Sequence, residues 1–251
     1  MTTELISIVT PCYNSSDFIS NTMDSVINQT YNNWELIIID DCSTDNSVDI
    51  IEKYIITESR IKLFRNNSNS GAAASRNLGL LKSSGRFLAF LDSDDLWEPI
   101  KLEKQINFML ENNCPISFTN YELIDEKGNS MNRIINSVKE INYKAYLKNT
   151  LIGMSTSMID TSKTELFEFV NLRTRQDTYL WITLLKRGLV AYGLNMTLVK
   201  YRVRNDSISA NKIKAAIQVW KLYYNLEKLG YILSVYYFMF YVLNAIKKRI
   251  L

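Results

Sequence analysis

The sequence predicts an α/β fold: a Rossmann-like, mostly parallel central sheet flanked by helices and followed by a helical tail. Three observations predict it. Strand-like and helix-like segments alternate through the first hundred residues. The strand-like segments are near-continuous apolar runs, the pattern of strands buried on both faces. Each run stops at polar residues, as strands do where they deliver side chains to a ligand cleft.

In chain order, residues 5–10 read as a strand, 16–28 as a helix, 34–39 as a strand and 46–56 as a helix. Residues 61–64 read as a strand, 72–82 as a helix and 86–91 as a strand. Right-handed crossovers between parallel strands bring three polar endings to one sheet edge: Pro11 to Asn14, Asp40 to Ser43, and Asp92 to Asp95. After Pro99 a helix runs to about residue 112, then a strand over 116–124, a turn at 125–129 and a return strand that extends the sheet antiparallel. A helix over 176–187 and a strand over 194–203 precede a polar loop and the tail.

With 251 residues, 47% hydrophobic and 22% charged, the chain suits one large domain with an appendage, divided here into 1–210 and 211–251. A formal charge of +3 and the lack of any finger, homeodomain or RNA-binding signature argue against nucleic acid as a partner. Cys12, Cys42 and Cys114 are odd in number and widely spaced, which suits core thiols in a reducing cytosol rather than a disulfide framework. The first apolar run is too short for a signal peptide, so the N-terminus is expected to stay cytoplasmic.

The chain has no histidine. That removes the commonest general base and the imidazole ligands of zinc, and leaves acid–base work to carboxylates. The densest group of carboxylates is Asp92, Asp94 and Asp95, set at the end of the apolar run 87–91. Carboxylates this close repel one another unless a cation or hydrogen bonds offset the charge, so Asp92 and Asp94 are read as ligands of Mg²⁺ or Mn²⁺, the ions suited to all-oxygen donors. A plain turn, with Asp95 capping the next helix, is the alternative reading.

Six ordered blocks carry a resemblance. They are Ser7-Ile8-Val9-Thr10-Pro11-Cys12-Tyr13-Asn14, Ser25-Val26-Ile27-Asn28-Gln29-Thr30, residues 34–41, Gly71-Ala72-Ala73-Ala74-Ser75-Arg76-Asn77, residues 90–97, and Arg175-Gln176-Asp177. Over residues 5 to about 210 the chain resembles family-2 glycosyltransferases with the GT-A fold, in particular bacterial enzymes of O-antigen, capsule and teichuronic acid synthesis. The resemblance implies that Pro11, Tyr13, Asn14 and Asp41 hold the nucleotide. The chemistry agrees, since an aromatic ring stacks on a base and a carboxylate accepts from a uracil ring N–H. Packing by Tyr13 and loop-capping by Asp41 remain the plain alternatives. It further implies that Asp94 holds the metal and that Asp92 faces the ribose or a metal-bound water. Arg76, on the first turns of a helix whose start already favours anions, is placed to reach the nucleotide or its diphosphate, with a plain surface arginine as the alternative. Asp177 corresponds to the general base, although an aspartate at a helix start is also an ordinary N-terminal residue. Many relatives carry a histidine near residues 201–209 that helps hold the metal. This chain has Arg204, which cannot ligate a cation but can contact a diphosphate.

The tail divides in two. Residues 217–228 alternate as an amphipathic helix, and residues 229–246 are nearly apolar all round, rich in Tyr and Phe, and closed by Lys247, Lys248 and Arg249. Lying in a membrane interface is expected over crossing it, and a helix packed on the domain or forming a homodimer is the alternative. The expected function is therefore an inverting, metal-dependent transferase. It would move a hexose from a UDP-sugar to a polyprenyl-diphosphate-linked saccharide, working peripherally on the inner face of the cell membrane. Two other readings stand beside it: a non-catalytic nucleotide-sugar-binding subunit or sensor, and a nucleotidyltransferase, for which the glycine-rich loop after the first strand is missing.

Overall fold

The computed structural model describes residues 3–204 and 212–250. Strands β1 (Ile6–Cys12), β2 (Trp34–Asp40), β3 (Ile61–Arg65) and β4 (Phe87–Phe90) pair in parallel in the spatial order β3-β2-β1-β4. Helices α1 (Ile19–Ile27), α2 (Ser47–Thr57) and α3 (Gly71–Lys82) make the crossovers. All residues of β2 and β4 are buried, which explains why their sequences are continuous apolar runs rather than alternating ones.

The second half contains β5 (Leu96–Trp97), α4 (Lys101–Glu111), β6 (Ile116–Ile124), β7 (Ser130–Ile135), β8 (Glu140–Ile141), α5 (Tyr143–Lys148), β9 (Met158–Asp160), α6 (Gln176–Lys186) and β10 (Ala191–Arg202). These continue the sheet beyond β4 as β9-β6-β10-β5, making it ten-stranded and mixed among the described residues. Strand β9 runs antiparallel to both β4 and β6, while β10 is parallel to β6 and antiparallel to β5. Two cores cover the two faces. Ile6, Ile8, Phe87 and Ala89 point into one and Val9, Leu88 and Phe90 into the other, the period-two alternation of the pleat.

Within the sheet domain two boundaries differ from the sequence reading by three residues, for local reasons. Helix α1 starts at Ile19 rather than at residue 16, because the backbone N–H groups of Ser15 and Ser16 donate instead to Ser47 Oγ (2.8 Å) and Asp45 Oδ2 (2.9 Å). Strand β10 starts three residues early, where Ala191 pairs with both Ile116 and Ile141.

The tail is helix α7 (Lys212–Lys221), a π-helical turn at Leu222–Leu226, a reversal where Lys228 and Gly230 take φ of 55° and 77°, and helix α8 (Tyr231–Ile250). Val219, Leu222, Tyr223 and Tyr237 enter the same core as Leu147, Ile116 and Trp181, so one face of the tail completes the domain. The boundary at 210/211 and the polar loop around it lie outside the described residues. No helix among the described residues is long and apolar enough to cross a membrane.

Candidate active site

The three polar strand endings meet, as parallel crossovers require. Asn14, in the left-handed region at φ 47°, donates its backbone N–H to Ser43 Oγ (3.0 Å) and accepts from the Thr44 backbone N–H through its side chain (2.8 Å). Ser15 Oγ lies 2.7 Å from Ser93 Oγ, and the Thr22 hydroxyl donates to the carbonyls of Ser93 and Asp95, both at 3.0 Å. The loop after β1 is thereby tied to the loop after β2 and to the one after β4. Pro11 is the sixth residue of β1 and pairs with Ile39, so it closes the strand beneath this loop. Tyr13 stands 49% exposed at the rim, a ring free to stack on a planar base.

Asp41 is buried and anchors the approach to α3. Its Oδ1 accepts from Asn66 Nδ2 (2.7 Å) and the Ser70 N–H (2.8 Å), and its Oδ2 accepts from the Gly71 N–H (2.7 Å). Gly71 sits at φ 86°, a conformation that glycine adopts without the steric cost of a Cβ. Asp41 thus braces the 66–71 loop rather than the start of α2, and with Oδ1 accepting twice, only Oδ2 keeps a second lone pair for a ligand N–H.

Five residues into α3, Arg76 is 4% exposed and donates from Nη2 to Asp92 Oδ1 at 2.6 Å. Its Nε and Nη1 are buried with no hydrogen-bond partner, and its guanidinium lies 5.6 Å from the Phe169 ring centre. Buried donors of this kind are costly unless an acceptor arrives, which marks Arg76 as a seat for an anion.

The Asp92–Asp95 loop places its three carboxylates in three environments. Asp92 pairs with Arg76. Asp94 is held at 3.7 Å by Arg204, and burial, together with repulsion from Asp92, pushes its carboxyl up to about 6 against the pull of Arg204 and Arg202. Asp95 is fully enclosed: Oδ2 accepts from Ser155 Oγ (2.5 Å) and Oδ1 from the Arg202 backbone N–H (2.9 Å). Burial, then the charges of Asp94 and Asp92, raises it well above the usual carboxylate range. Asp95 therefore caps no helix. It is the pin that fastens the loop to β10 and to the turn before β9.

Arg202 and Ser155 belong to this pin and carry no signal in the local sequence. Arg202 Nε donates to the Asp94 carbonyl (2.8 Å) and Nη1 to the Glu126 carbonyl (2.8 Å), while Ser155 Oγ also accepts from the Asp92 N–H (3.1 Å). Trp97 Nε1 donates to the Ser155 carbonyl (2.8 Å). Arg202 and Arg204 both flank the Phe18 ring, at 4.9 and 5.0 Å.

Asp92 and Asp94 fit a divalent cation: two carboxylates two residues apart, with Asp94 raised first by burial and then by repulsion from Asp92. Among the described residues no third Asp, Glu or Cys completes a cluster, so any further donors would come from a diphosphate and water.

Asp177 lies in the first turn of α6, after Arg175, which takes φ 62°. Among the described residues no hydrogen bond or ion pair joins it to Asp92 or Asp94; its only side-chain bond is from the neighbouring Thr178 hydroxyl at 3.4 Å. Its charge, after burial itself, raises the buried Tyr146 hydroxyl of α5. The segment leading to it is fixed to α3, since Phe169 and Asn77 exchange two hydrogen bonds of 2.7 and 2.8 Å. The same α3 thus carries Arg76 and braces the approach to Asp177.

This fold, with its polar strand endings gathered at one sheet edge and an acidic loop after β4, is that of a glycosyltransferase. Residues 7–171 match the model of glycosyl transferase family 2, and the chain belongs to that family and is a glycosyltransferase. It is 45% identical over 246 residues, 98% of each chain, to a Bacillus subtilis (strain 168) protein named for teichuronic acid biosynthesis, TuaG. It is 39% identical over 98% of its length and 95% of the relative's to the Escherichia coli protein WfgD, named as a UDP-Glc:α-D-GlcNAc-diphosphoundecaprenol β-1,3-glucosyltransferase. Its fold matches that of residues 1–349 of Staphylococcus aureus TarS in complex with UDP-GlcNAc at a TM-score of 0.68 and 18% identity, over 88% of this chain and 66% of that one. A Pyrobaculum calidifontis mannosyltransferase in complex with GDP-Man and Mn²⁺ matches at a TM-score of 0.69 and 15% identity, over 90% and 65%. The fold is GT-A.

Proposed function

We propose that the chain is an inverting, metal-dependent hexosyltransferase that uses a UDP-sugar and a polyprenyl-diphosphate-linked saccharide acceptor in bacterial surface polysaccharide synthesis. The observation that carries the reading is the acidic pair Asp92 and Asp94 at the end of β4, flanked by the guanidinium groups of Arg76 and Arg204. A nucleoside diphosphate needs that combination of cation ligands and fixed positive charge. The UDP-sugar and the acceptor class are supported by the name of WfgD, and the surface-polysaccharide setting by that of TuaG.

Tyr13 stacks on the uracil and Asp41 accepts from its ring N–H, with Pro11 and Asn14 shaping the turn. Asp92 and Asp94 hold the cation, which when bound neutralises charge on the diphosphate. Arg76, through its two unpartnered nitrogens, and Arg204 add donors for the phosphate oxygens as the bond from the anomeric carbon to the diphosphate breaks. Asp177 takes the proton of the acceptor hydroxyl while that oxygen bonds to the anomeric carbon from the opposite face, so configuration inverts and UDP leaves.

The test is release of UDP from a panel of UDP-sugars by the purified protein with and without Mn²⁺, beside Asp94→Ala and Asp177→Asn. Metal-dependent release from one sugar, lost in both variants, is expected. Release that is indifferent to metal and to both substitutions overturns the assignment.

A further inference from the structure

Helix α8 has two faces with different occupants. Its inner face is built into the domain: Ser234 and Tyr237 are buried, Asn244 Nδ2 donates to the Lys148 carbonyl (3.0 Å), and Arg175 Nη2 donates to Tyr241 Oη (3.2 Å). Its outer face presents Ile232, Tyr236, Met239, Phe240, Leu243 and Ile246, spaced at helical intervals and all exposed, Ile232 to 81% and Met239 to 59%. A stripe of this length left to water costs free energy and marks a contact surface.

Charge identifies what covers it. From Lys228 to the C-terminus the sequence has four basic residues, Lys228, Lys247, Lys248 and Arg249, and no acidic one. The formal charge of the whole chain is only +3, so its positive excess resides entirely in this segment. Lys148 of α5 adds an ammonium group against the exposed rings, 5.3 Å from Tyr236 and 4.8 Å from Phe240. An exposed aliphatic and aromatic helix face with the Lys148 ammonium against it, in a segment whose sequence is wholly basic, matches the chemistry of an anionic lipid headgroup layer. A second copy of the chain would bring the same apolar stripe but no acidic partner from α8.

We propose that α8 lies along an anionic membrane surface through this outer face, while its inner face holds Arg175, two residues before Asp177. The proposal deepens the reading of a lipid-linked acceptor and rests on it for the membrane's relevance. The helix that touches the bilayer is then the one bonded to the approach of the candidate base, so a lipid-held acceptor is presented to α6 from that side.

The experiment is sedimentation of the full chain with vesicles of phosphatidylglycerol and phosphatidylethanolamine or of phosphatidylcholine alone, read as bound protein without any turnover. The parent is expected to bind the anionic vesicles, with affinity falling as salt rises. Met239→Glu/Leu243→Glu is expected to lower binding at least about tenfold. Lys247→Ala/Lys248→Ala/Arg249→Ala is expected to lower it about fivefold per charge on anionic vesicles only. Thermal melting and UDP affinity, which do not involve these positions, check that both variants fold. Binding by both variants equal to the parent's overturns the proposal. So does a lipid-free dimer that Met239→Glu/Leu243→Glu converts to monomer, with vesicle binding unchanged. Loss of vesicle binding with UDP release intact supports the proposal, and failure of UDP release with vesicle binding intact strikes the enzymatic reading alone.

Discussion

The acidic floor after β4 and the helical wall made by α5, α6 and α8 are built by opposite means. The floor concentrates charge, and each charge is fixed by donors from distant segments: Asp95 by Ser155 and Arg202, Asp92 by Arg76, Asp94 by Arg204. The wall is apolar in its packing, and its polar ties are a few side-chain bonds, such as Tyr223 Oη to the Leu147 carbonyl (2.6 Å) and Tyr143 Oη to Glu227 (2.6 Å). A floor that must hold like charges at fixed spacing has to be over-determined, because each loosened carboxylate raises the repulsion on the others. The wall takes its shape from helices docked by hydrophobic faces rather than from fixed charges.

The sharpest way to break the contrast is to neutralise the floor. Asp94→Asn is expected to lower transfer by about 10³- to 10⁴-fold, since a bound cation contributes several kcal/mol to leaving-group stabilisation. The same substitution should not harm the fold. Asp94 is raised to about 6 in the folded chain, above its unfolded value, so its ionisation opposes folding. Stability is lost as pH rises from about 4 through 6, by on the order of 1 kcal/mol for a carboxylate that is still part-exposed, and the Asn variant removes that slope. Melting curves between pH 4 and 7.5 check this, and a variant less stable than the parent at pH 7.5 contradicts it. Mn²⁺ affinity of the parent should likewise fall about tenfold per pH unit below 6, where the proton competes with the metal.

On the wall, Asp177→Asn is expected to lower kcat by about 10²-fold or more while UDP affinity stays within twofold, because a base acts on the acceptor and not on the nucleotide. A parallel loss of UDP affinity would move Asp177 into the floor and dissolve the comparison.

The two regions also differ in how far the sequence discloses them. The strands 5–10, 34–39 and 86–91 are legible because strands buried on both faces have to be continuous apolar runs, whereas 61–64 is the part-exposed edge strand; the structure keeps β1 to β4 within two residues of the expected bounds at each end. Asp92, Asp94 and their joining to the loops after β1 and β2 follow from strand order alone. Of the wall, the sequence discloses the helix over 176–187 and an apolar tail, but not α5. Strands β5, β8 and β9 and helix α5 have two, two, three and six residues, too few to show a period, and they exist because neighbours pair with them. Ser155 and Arg202 were hidden for a related reason: each bonds to Asp95 from a position 60 or 107 residues away, and no local pattern records such a contact.

That hidden pin provides the next test. Ser155→Ala removes the donor to Asp95 Oδ2 and the acceptor for the Asp92 N–H in one step. Leaving buried groups unpaired is expected to cost about 1–3 kcal/mol of stability, read by urea denaturation, with a weaker Mn²⁺ affinity as the mark of a displaced floor. A stability loss without any change in Mn²⁺ affinity would show that the pin supports the fold but not the carboxylate spacing.

The smallest effect belongs to the wall. Tyr223 is buried and its hydroxyl donates to the Leu147 carbonyl, so Tyr223→Phe deletes one neutral hydrogen bond and keeps the ring in place. About 0.5–1.5 kcal/mol is the expected loss, by the same denaturation measurement. UDP release without acceptor should be untouched, since among the described residues no hydrogen bond joins Tyr223 or Leu147 to Asp41, Arg76 or Asp94. If instead donor turnover falls together with stability, then α5 transmits to the floor, and the two regions are one mechanical unit rather than a fixed floor beside a separately docked wall.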